Sequence, residues 1–369
     1  MNHKDEKITQ PEQEPFQVDE FRPEDTEGLV SLFRDVYGEG YPIRLFYDPE
    51  AIIAANRDGN YISIVARTAS GKVIGATHLF RSAPFKFLYE WGAGLILKQY
   101  RNLGGNNQLA DFLHNKFIPG EPSIEEIQGE PVCNHTHLQK SVMAFQYVET
   151  ALEVALMPAE AYTREKSATG RVATMLTFRC CKPKPHRIFL PPVYDTVLRQ
   201  IYGRLDDTRD IALADSRFPA DKATCAESSI FDAAQVVRIA VHEAGNDFAD
   251  RISHLENQAL ARNIVVFQVW LNLTEPCAGD AVDILRDRGY FFGGALPRWF
   301  DGDGLLMQKL LCPPDFDNIV LCSEEAKQLL KFIQTDWNDQ HKITSRLSLI
   351  KSSSFSAPGN LLFMFCRAV

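Results

Sequence analysis

The chain has 369 residues, of which 45% are hydrophobic and 24% are charged, an ordinary globular composition whose length suggests two domains. Its formal net charge of −9 argues against a nucleic-acid partner, because binding phosphate backbones requires a basic face. No run approaches the roughly 18 apolar residues that span a bilayer, so a membrane is not an expected partner either.

The N-terminus and the cysteines indicate a cytoplasmic location. Residues 1–15 are rich in charged and amide side chains and have no apolar signal core, so they read as a disordered, solvated tail. Eight cysteines are scattered along the chain, with one adjacent pair at Cys180 and Cys181. This is not a small disulfide scaffold, and reduced thiols are expected.

Residues 16–181 carry the periodicity of a mixed α/β domain. The predicted order is strand, helix, helix, three strands, helix, strand, helix and two strands. Strands are expected over 16–18, 61–68, 73–80, 87–97, 130–133, 150–157 and 171–180, and helices over 29–36, 49–57, 109–117 and 138–145.

Prolines over 182–192 predict a linker followed by a helix up to residue 204. Beyond it, residues 205–335 repeat the order strand, helix, strand, helix, strand, strand, which suggests a tandem duplication. The strands are expected over 235–241, 264–273, 290–295 and 305–310, and the helices over 248–259 and 278–288. Residues 336–369 form a C-terminal segment to which the sequence assigns no role.

A basic, glycine-containing turn follows the apolar run at Leu95, Ile96 and Leu97 and opens a helix. Such a junction presents unpaired N–H groups and the positive end of a helix dipole, which is an anion site whose usual occupant is a diphosphate. A P-loop would need Gly-Lys-Ser/Thr at the end of the turn, and a dinucleotide fingerprint would need three spaced glycines. Gly104-Gly105-Asn106 supplies neither.

The segment Arg101-Asn102-Leu103-Gly104-Gly105-Asn106 resembles the coenzyme A turn of the GNAT acyltransferases, Arg/Gln-x-x-Gly-x-Gly/Ala. It matches at Arg101 and Gly104 and has Asn106 in place of the final small residue. Residues 16–180 also resemble the family in element order, with the turn after the fourth strand. The resemblance implies two tandem GNAT-like domains, of which the second is degenerate.

The resemblance implies acetyl-CoA or another acyl-CoA as co-substrate, and no metal. Main-chain groups of Leu95 and Leu97 would pair with the pantetheine arm, and N–H groups from Leu103 to Gln108 would hold the pyrophosphate. Asn134 would contact the coenzyme, although capping of its loop is an equal alternative. The implied set is Leu95, Ile96, Leu97, Arg101, Asn102, Leu103, Gly104, Gly105, Asn106, Asn107, Gln108 and Asn134.

The same resemblance implies Glu90 as the catalytic base, since histone-type members carry a glutamate at this place in the fourth strand; the alternative is a solvated or paired carboxylate. Gly92 and Gly94 would permit the strand distortion that admits the thioester. The N–H near Leu95 would bind the oxyanion. Val142 lies where members of the family often carry a tyrosine that protonates the leaving thiolate, and Tyr147 is nearby in sequence.

Two further groups of residues contain side chains that bear on ligand binding. In the second half, the run Val241 to Asp247 places acidic side chains where phosphates would sit, which predicts a structural or substrate-side domain. Cys133, His135 and His137 are metal-ligand types close in sequence, but no fourth ligand is evident, so a pocket or packing role is expected.

These observations predict an N-acetyltransferase that transfers an acetyl group directly from the thioester to a primary amine of a small molecule or a peptide. The alternative is a non-catalytic GNAT-like sensor or assembly module that binds acyl-CoA or a metabolite, which Asn106 and Val142 favour. The acceptor, the acyl chain length and the oligomeric state are not determined by the sequence.

Overall fold

The computed structural model of the protein describes residues 14–41, 43–158 and 170–353. The first unit (residues 16–180) has the predicted element order. Its strands are β1 (Phe16–Glu20), β2 (Tyr61–Thr68), β3 (Val73–Phe80), β4 (Leu88–Ile96), β5 (Glu126–Gly129), β6 (Val148–Pro158) and β7 (Arg171–Cys180), and its helices are α1 (Thr26–Tyr37), α2 (Pro49–Arg57), α3 (Gly105–Phe112) and α4 (His137–Ala144). The mixed α/β prediction is confirmed.

The fifth strand lies four residues earlier than predicted. The sequence favoured 130–133, but β5 occupies Glu126–Gly129 and only an isolated bridge joins Val132 to Thr174. Polar Glu126 and Gln128 are buried inside the sheet, so the strand lacks the apolar pattern that identifies strands. Pro131 has no N–H to donate and therefore does not extend it.

The second unit (residues 225–310) repeats the predicted order, preceded by one further strand. It comprises β10 (Cys225–Phe231), β11 (Val236–Glu243), α6 (Phe248–Leu260), β12 (Val266–Asn272), α7 (Ala278–Asp287), β13 (Phe291–Phe300) and β14 (Gly302–Leu310). Its strands follow the order β13-β14-β12-β11-β10, with β11 and β12 parallel. The first unit follows β1-β2-β3-β4-β5-β7-β6, with β4 and β5 parallel.

The segment between the units is packed, not a free linker. It forms β8 (His186–Leu190), α5 (Asp195–Tyr202) and β9 (Arg209–Leu213), with β8 and β9 paired in parallel. Ile188 and Leu190 are fully buried in the same core as the second unit. After the second unit, α8 (Glu324–Ser353) runs through the C-terminal segment, and residues 354–369 lie outside the described residues.

The two units share one twelve-stranded sheet because β6 pairs with β13. Gly294 faces Ala151 across this junction, and a Cβ at Gly294 would overlap the Ala151 backbone. Thr150 Oγ1 donates to the Ala295 carbonyl (2.8 Å), and the Gln308 amide bonds the Leu152 carbonyl (2.9 Å). Glycine thus permits the close approach, and buried hydrogen bonds fix its register.

The sheet curves strongly around one face, which we call the inner face. Arg238 of β11 reaches Glu153 of β6 at 3.0 Å, although these strands are four spacings, about 19 Å, apart in a flat sheet. Leu88, Leu176 and Trp270 pack on the inner face as one cluster. Trp299 of β13 is 2% exposed and belongs to this cluster. No helix of the described residues is long and apolar enough to cross a membrane.

A buried arginine of the second unit forms an ion pair with the first unit. Arg298 is fully buried, pairs with Glu125 (2.6 Å) and Asp301 (3.0 Å), and lies 5.0 Å from the ring of Phe85. Glu125 immediately precedes β5, so the pair joins β13 to the first unit. The guanidinium also lies 3.8 Å from Asp207.

We expect Arg298→Met to lower the free energy of unfolding by about 3 kcal/mol, because it leaves buried carboxylates without their cation. Denaturant unfolding measures the change. Arg187→Met is the control, since Arg187 pairs with Asp210 at the surface with 61% of its side chain exposed. Equal stability of the two variants would contradict the structural role of Arg298.

Candidate active site

Strand β4 contains the distortion that the sequence predicted. Ala93 has a left-handed φ of 49° between Gly92 and Gly94. The pairing register of β3 with β4 shifts at the same place, between Ala76 and His78. Positive φ is uncommon for a residue with a Cβ and is often found at functional sites. The prediction of a bulge is confirmed, although Ala93 adopts the strained conformation, not a glycine.

Beyond this bulge, β4 and β5 separate. They pair only from Leu88 to Trp91, opposite Glu126 to Gly129. Within the described residues no strand pairs with that edge of β4 over 92–96, so a gap opens in the middle of the sheet. In the second unit, β11 and β12 stay paired from Val236 to Val241. The gap is therefore a feature of the first unit.

The main chain along the gap differs from the expected pattern. Leu97 donates its N–H to the Ile74 carbonyl (2.8 Å) and accepts from the Tyr100 N–H (2.9 Å). The expectation that Leu97 pairs with a pantetheine arm is wrong, because its groups are engaged with β3 and with the following turn. Leu95 lies directly opposite Ala76 in the antiparallel β3–β4 ladder. By the alternation of antiparallel ladders, Ile96 directs its main-chain groups toward the gap.

The glycine turn joins β4 to α3 as predicted. A 3₁₀ turn covers Lys98–Leu103, Gly104 follows with φ 74°, and α3 begins at Gly105. Gly104 is the N-cap and offers no side chain, so the first N–H groups of the helix have no intrahelical or capping partner. A Cβ at Gly104 would meet nothing within 4 Å. Within the described residues, no side chain caps the helix, and the space beside Gly104 is open.

The polar side chains of the turn surround this opening. Arg101 donates from Nε to the Ile96 carbonyl (3.4 Å), which places its guanidinium at the end of the gap. Lys98, Asn106, Asn107 and Gln108 are exposed, and Leu103 is 46% exposed. The side chain of Asn102 lies outside the described residues. Cationic and amide donors beside free N–H groups make an anion site.

The two glycines of the turn have different physical roles. We expect Gly105→Ala to cost about 2 kcal/mol of stability, because its Cβ would overlap Ile96 Cδ1. Gly104→Ala should cost about 1 kcal/mol through its left-handed φ alone. Thermal unfolding tests both changes. Gly120→Ala and Gly71→Ala are the controls, since both sites are open and Gly71 shares the positive φ. A neutral Gly105→Ala would contradict this packing.

The corresponding turn of the second unit is filled by the chain itself. Asn246 donates its N–H to the Lys222 carbonyl (3.1 Å), and Gly245 donates to Thr224 Oγ1 (3.1 Å). The Asp247 carboxylate accepts from the Thr224 N–H (2.7 Å). Residues 222–224 therefore occupy the place in front of α6 where an anion would bind, and Asp247 adds negative charge.

Glu90 lies on the inner face of β4, opposite Gln128 of β5. The Gln128 amide donates to Glu90 Oε2 (3.0 Å). Burial raises the pKa of Glu90 to about 7, against the opposing effect of the Arg238 charge and of hydrogen bonds from Ser82 and Gln128. A carboxyl with a pKa near neutrality is suited to accept a proton at physiological pH.

The outer side of the gap is closed by aromatic side chains. Tyr147 is 4% exposed and donates its hydroxyl proton to His114 Nε2 (3.0 Å), because His114 Nδ1 bonds the Ala110 carbonyl (2.8 Å). Burial lowers the pKa of His114 to about 4, so the imidazole is neutral. Trp91 packs edge-on against His114. Val142 is buried and brings no acid to this place.

The residues after β5 do not assemble as a metal site. Asn134 is half-buried in this loop, and the rings of His135 and His137 lie 5.5 Å apart. The described residues bring together a different set, Glu126, Cys180 and Asp207, whose ligand atoms lie within 4.8 Å of one another. These come from three separate segments, so no sequence spacing reveals them. Arg298 already provides a cation 3.8 Å from Asp207.

Comparisons with known proteins add similarity to solved structures only; no family model and no curated protein matches the chain. A ribosomal-protein-S5-alanine acetyltransferase from Vibrio fischeri is 14% identical, with 46% of this chain and 94% of that chain covered and a TM-score of 0.34. An N-acetyltransferase from Staphylococcus aureus Mu50 is 12% identical, with coverages of 46% and 99% and a TM-score of 0.35.

A candidate acetyltransferase of the GNAT family from Desulfovibrio desulfuricans is 10% identical, with coverages of 45% and 99% and a TM-score of 0.34. At such identities and scores, the resemblance of this chain to the GNAT family rests on its own features. These are the confirmed element order of the first unit, the bulge in β4, and the glycine turn that opens α3.

Proposed function

We propose that the chain is an acyl-CoA-dependent N-acyltransferase that transfers an acetyl group from acetyl-CoA to a primary amine. The carrying observation is the gap between β4 and β5, which has the open N-terminus of α3 at one end and Glu90 at the other. A diphosphate site, a slot through a sheet and a carboxyl with a pKa near 7 are the three parts that this reaction needs.

In this proposal the coenzyme follows the edge of β4. The N–H groups from Leu103 to Gln108 bind the pyrophosphate, with Arg101 and Lys98 as counter-charges. The pantetheine arm pairs with the main chain of Ile96, whose groups face the gap, and Asn134 lies across the gap after β5. An added strand of this kind gains affinity from main-chain hydrogen bonds that the free edge leaves unmade.

The chemistry is a direct transfer. The acceptor ammonium loses one proton to Glu90, and the resulting amine attacks the thioester carbonyl to form the C–N bond of a tetrahedral intermediate. The nitrogen then loses its second proton to solvent, and the carbonyl re-forms as the C–S bond breaks. A main-chain N–H of the bulged segment beside Leu95 stabilises the tetrahedral oxyanion. The thiolate takes its proton from solvent, since Val142 has none to give and the Tyr147 proton is donated to His114.

Coenzyme binding should have a stoichiometry of one per chain, because residues 222–224 fill the turn of the second unit. Arg101→Gln should raise the Kd of acetyl-CoA about tenfold, as loss of a charge-assisted phosphate contact does. Calorimetry measures both values. Lys72→Gln, which removes an exposed charge from the β2–β3 hairpin, is the control. Absence of binding by any acyl-CoA would refute the proposal.

Turnover should depend on the ionisation of Glu90. Because the base acts only when deprotonated, kcat/KM should rise with pH and level off above about pH 7. Glu90→Gln should lower kcat about a hundredfold and remove this limb. Thiol release with an amine panel measures it, with Glu27→Gln, an exposed carboxyl of α1, as the control.

A full pH limb in the Glu90→Gln variant would reject Glu90 as the base, without rejecting the transferase. Coenzyme binding without thiol release from any amine would instead establish the non-catalytic sensor. The two measurements therefore separate an error in one residue from an error in the class of protein.

A further inference from the structure

The inner face carries a charged group drawn from both units, which we call the inner cluster: Glu90, Glu130, Glu153 and Arg238. Arg238 of the second unit binds Glu153 at 3.0 Å and Glu130 at 3.4 Å. Gln268 of β12 holds both partners, since it accepts from Arg238 Nε (3.0 Å) and donates to Glu153 (2.9 Å). Strands of the second unit thus complete a site that begins on β4.

The inner cluster lies where the gap begins, and two of its side chains are partly exposed. Glu130 directly follows Gly129, the last residue of β5 that pairs with β4. The side chains of Glu130 and Arg238 are 17% and 20% exposed, whereas that of Glu153 is 1% exposed. A solute that enters from the inner face therefore meets Glu130 and Arg238 above a buried carboxylate.

The inner cluster has more carboxyl groups than cations. Arg238 and hydrogen bonds keep the pKa of Glu153 low despite its burial. Burial and the charge of Glu153 raise the pKa of Glu130 well above its usual value, and burial raises that of Glu90 to about 7. The raised pKa values favour proton uptake by the surplus carboxyls, and an entering cation would favour their ionised forms instead.

Two tyrosines also lie near Glu90. Burial and the charge of Glu90 raise the pKa values of Tyr41 and Tyr61, so both hydroxyls stay neutral beside it. Tyr61 stacks on Phe80 with ring centroids 5.3 Å apart, and Phe80 faces Glu90 across the β3–β4 ladder. Neutral aromatic rings beside a carboxylate suit an alkylammonium chain, which packs on them and is attracted to their faces.

One buried polar atom in this group lacks a partner. Gln128 is 1% exposed, and its amide nitrogen donates to Ser82 Oγ (2.9 Å) and to Glu90 (3.0 Å), but its Oε1 accepts no hydrogen bond. A buried carbonyl without a donor costs free energy. An N–H donor bound beside Glu90 would satisfy it. An ammonium group is such a donor and is also the cation that would compensate the surplus carboxyls.

We propose that the inner cluster is the acceptor site and that the acceptor is an aliphatic amine with at least two positive charges. This inference rests on the proposed acyl transfer. One ammonium group binds at Glu90 and Gln128 and is the one acylated, and the second binds at Glu130. Arg238 is a positioning residue, which keeps Glu153 ionised at the bottom of the site.

Calorimetry on the full chain without coenzyme tests the charge requirement. We expect 1,4-diaminobutane to bind at least about tenfold more tightly than butylamine, a difference of about 1.4 kcal/mol. Titrations at pH 7 in buffers of different ionisation enthalpy should show net proton release, because cations bound beside Glu90 and Glu130 favour the ionised forms of these carboxyls, whose pKa values are raised in the empty site. Equal affinities for the two amines, or binding without proton release, would overturn the inference.

Glu130→Gln tests the assigned residue. The amide is nearly isosteric with the carboxyl that it replaces, so the fold should persist, as thermal unfolding can verify. We expect the Kd and KM for 1,4-diaminobutane to rise about tenfold in Glu130→Gln, and Glu27→Gln to leave both unchanged. Unchanged diamine affinity in Glu130→Gln would refute the assignment.

The outcomes distinguish this inference from the proposed function. If acetyl-CoA binds and both amines are acetylated with equal kcat/KM, only the requirement for a second charge is overturned. If the diamine binds with proton release but no acyl-CoA binds, the transferase itself is refuted, and with it the role of the inner cluster as an acceptor site.

Discussion

The pairing of β6 with β13 is the contact on which the rest of this structure depends. It joins two sheets of similar strand order edge to edge, and Gly294 allows the backbones to approach at Ala151. Because each sheet is twisted, joining them produces a curved surface whose inner face brings β11 and β12 toward β4 and β5. Without this junction, Arg238 would have no access to Glu153 or Glu130.

The two units have a similar strand order but different local chemistry. In the first unit, β5 is four residues long and is followed by Pro131, so the edge of β4 is left free beyond Trp91. In the second unit, β12 is seven residues long and pairs along most of its length with β11. The first unit therefore has a gap between β4 and β5, whereas the sheet of the second unit is continuous between β11 and β12.

The structure contains two groups of buried charges, which differ in how completely they are compensated. Arg298 is surrounded by carboxylates and ties the units together, which is a structural use of buried ions. The inner cluster is less well matched, since burial raises the pKa values of Glu90 and Glu130, and Gln128 Oε1 has no donor among the described residues. Incomplete compensation of this kind is unfavourable for stability alone and is typical of a site that a ligand completes.

The sequence by itself determined the order of elements, the recurrence of part of that order in the second unit, the glycine turn and the distortion near Gly92, because periodicity and backbone freedom act over a few residues. It misplaced β5, whose buried polar side chains hide the strand pattern. Only the tertiary structure shows which residues form the inner cluster, that residues 222–224 fill the turn of the second unit, and which way the main-chain groups of Leu97 point. Those depend on which segments distant in sequence meet across a curved sheet, and no local pattern encodes that meeting.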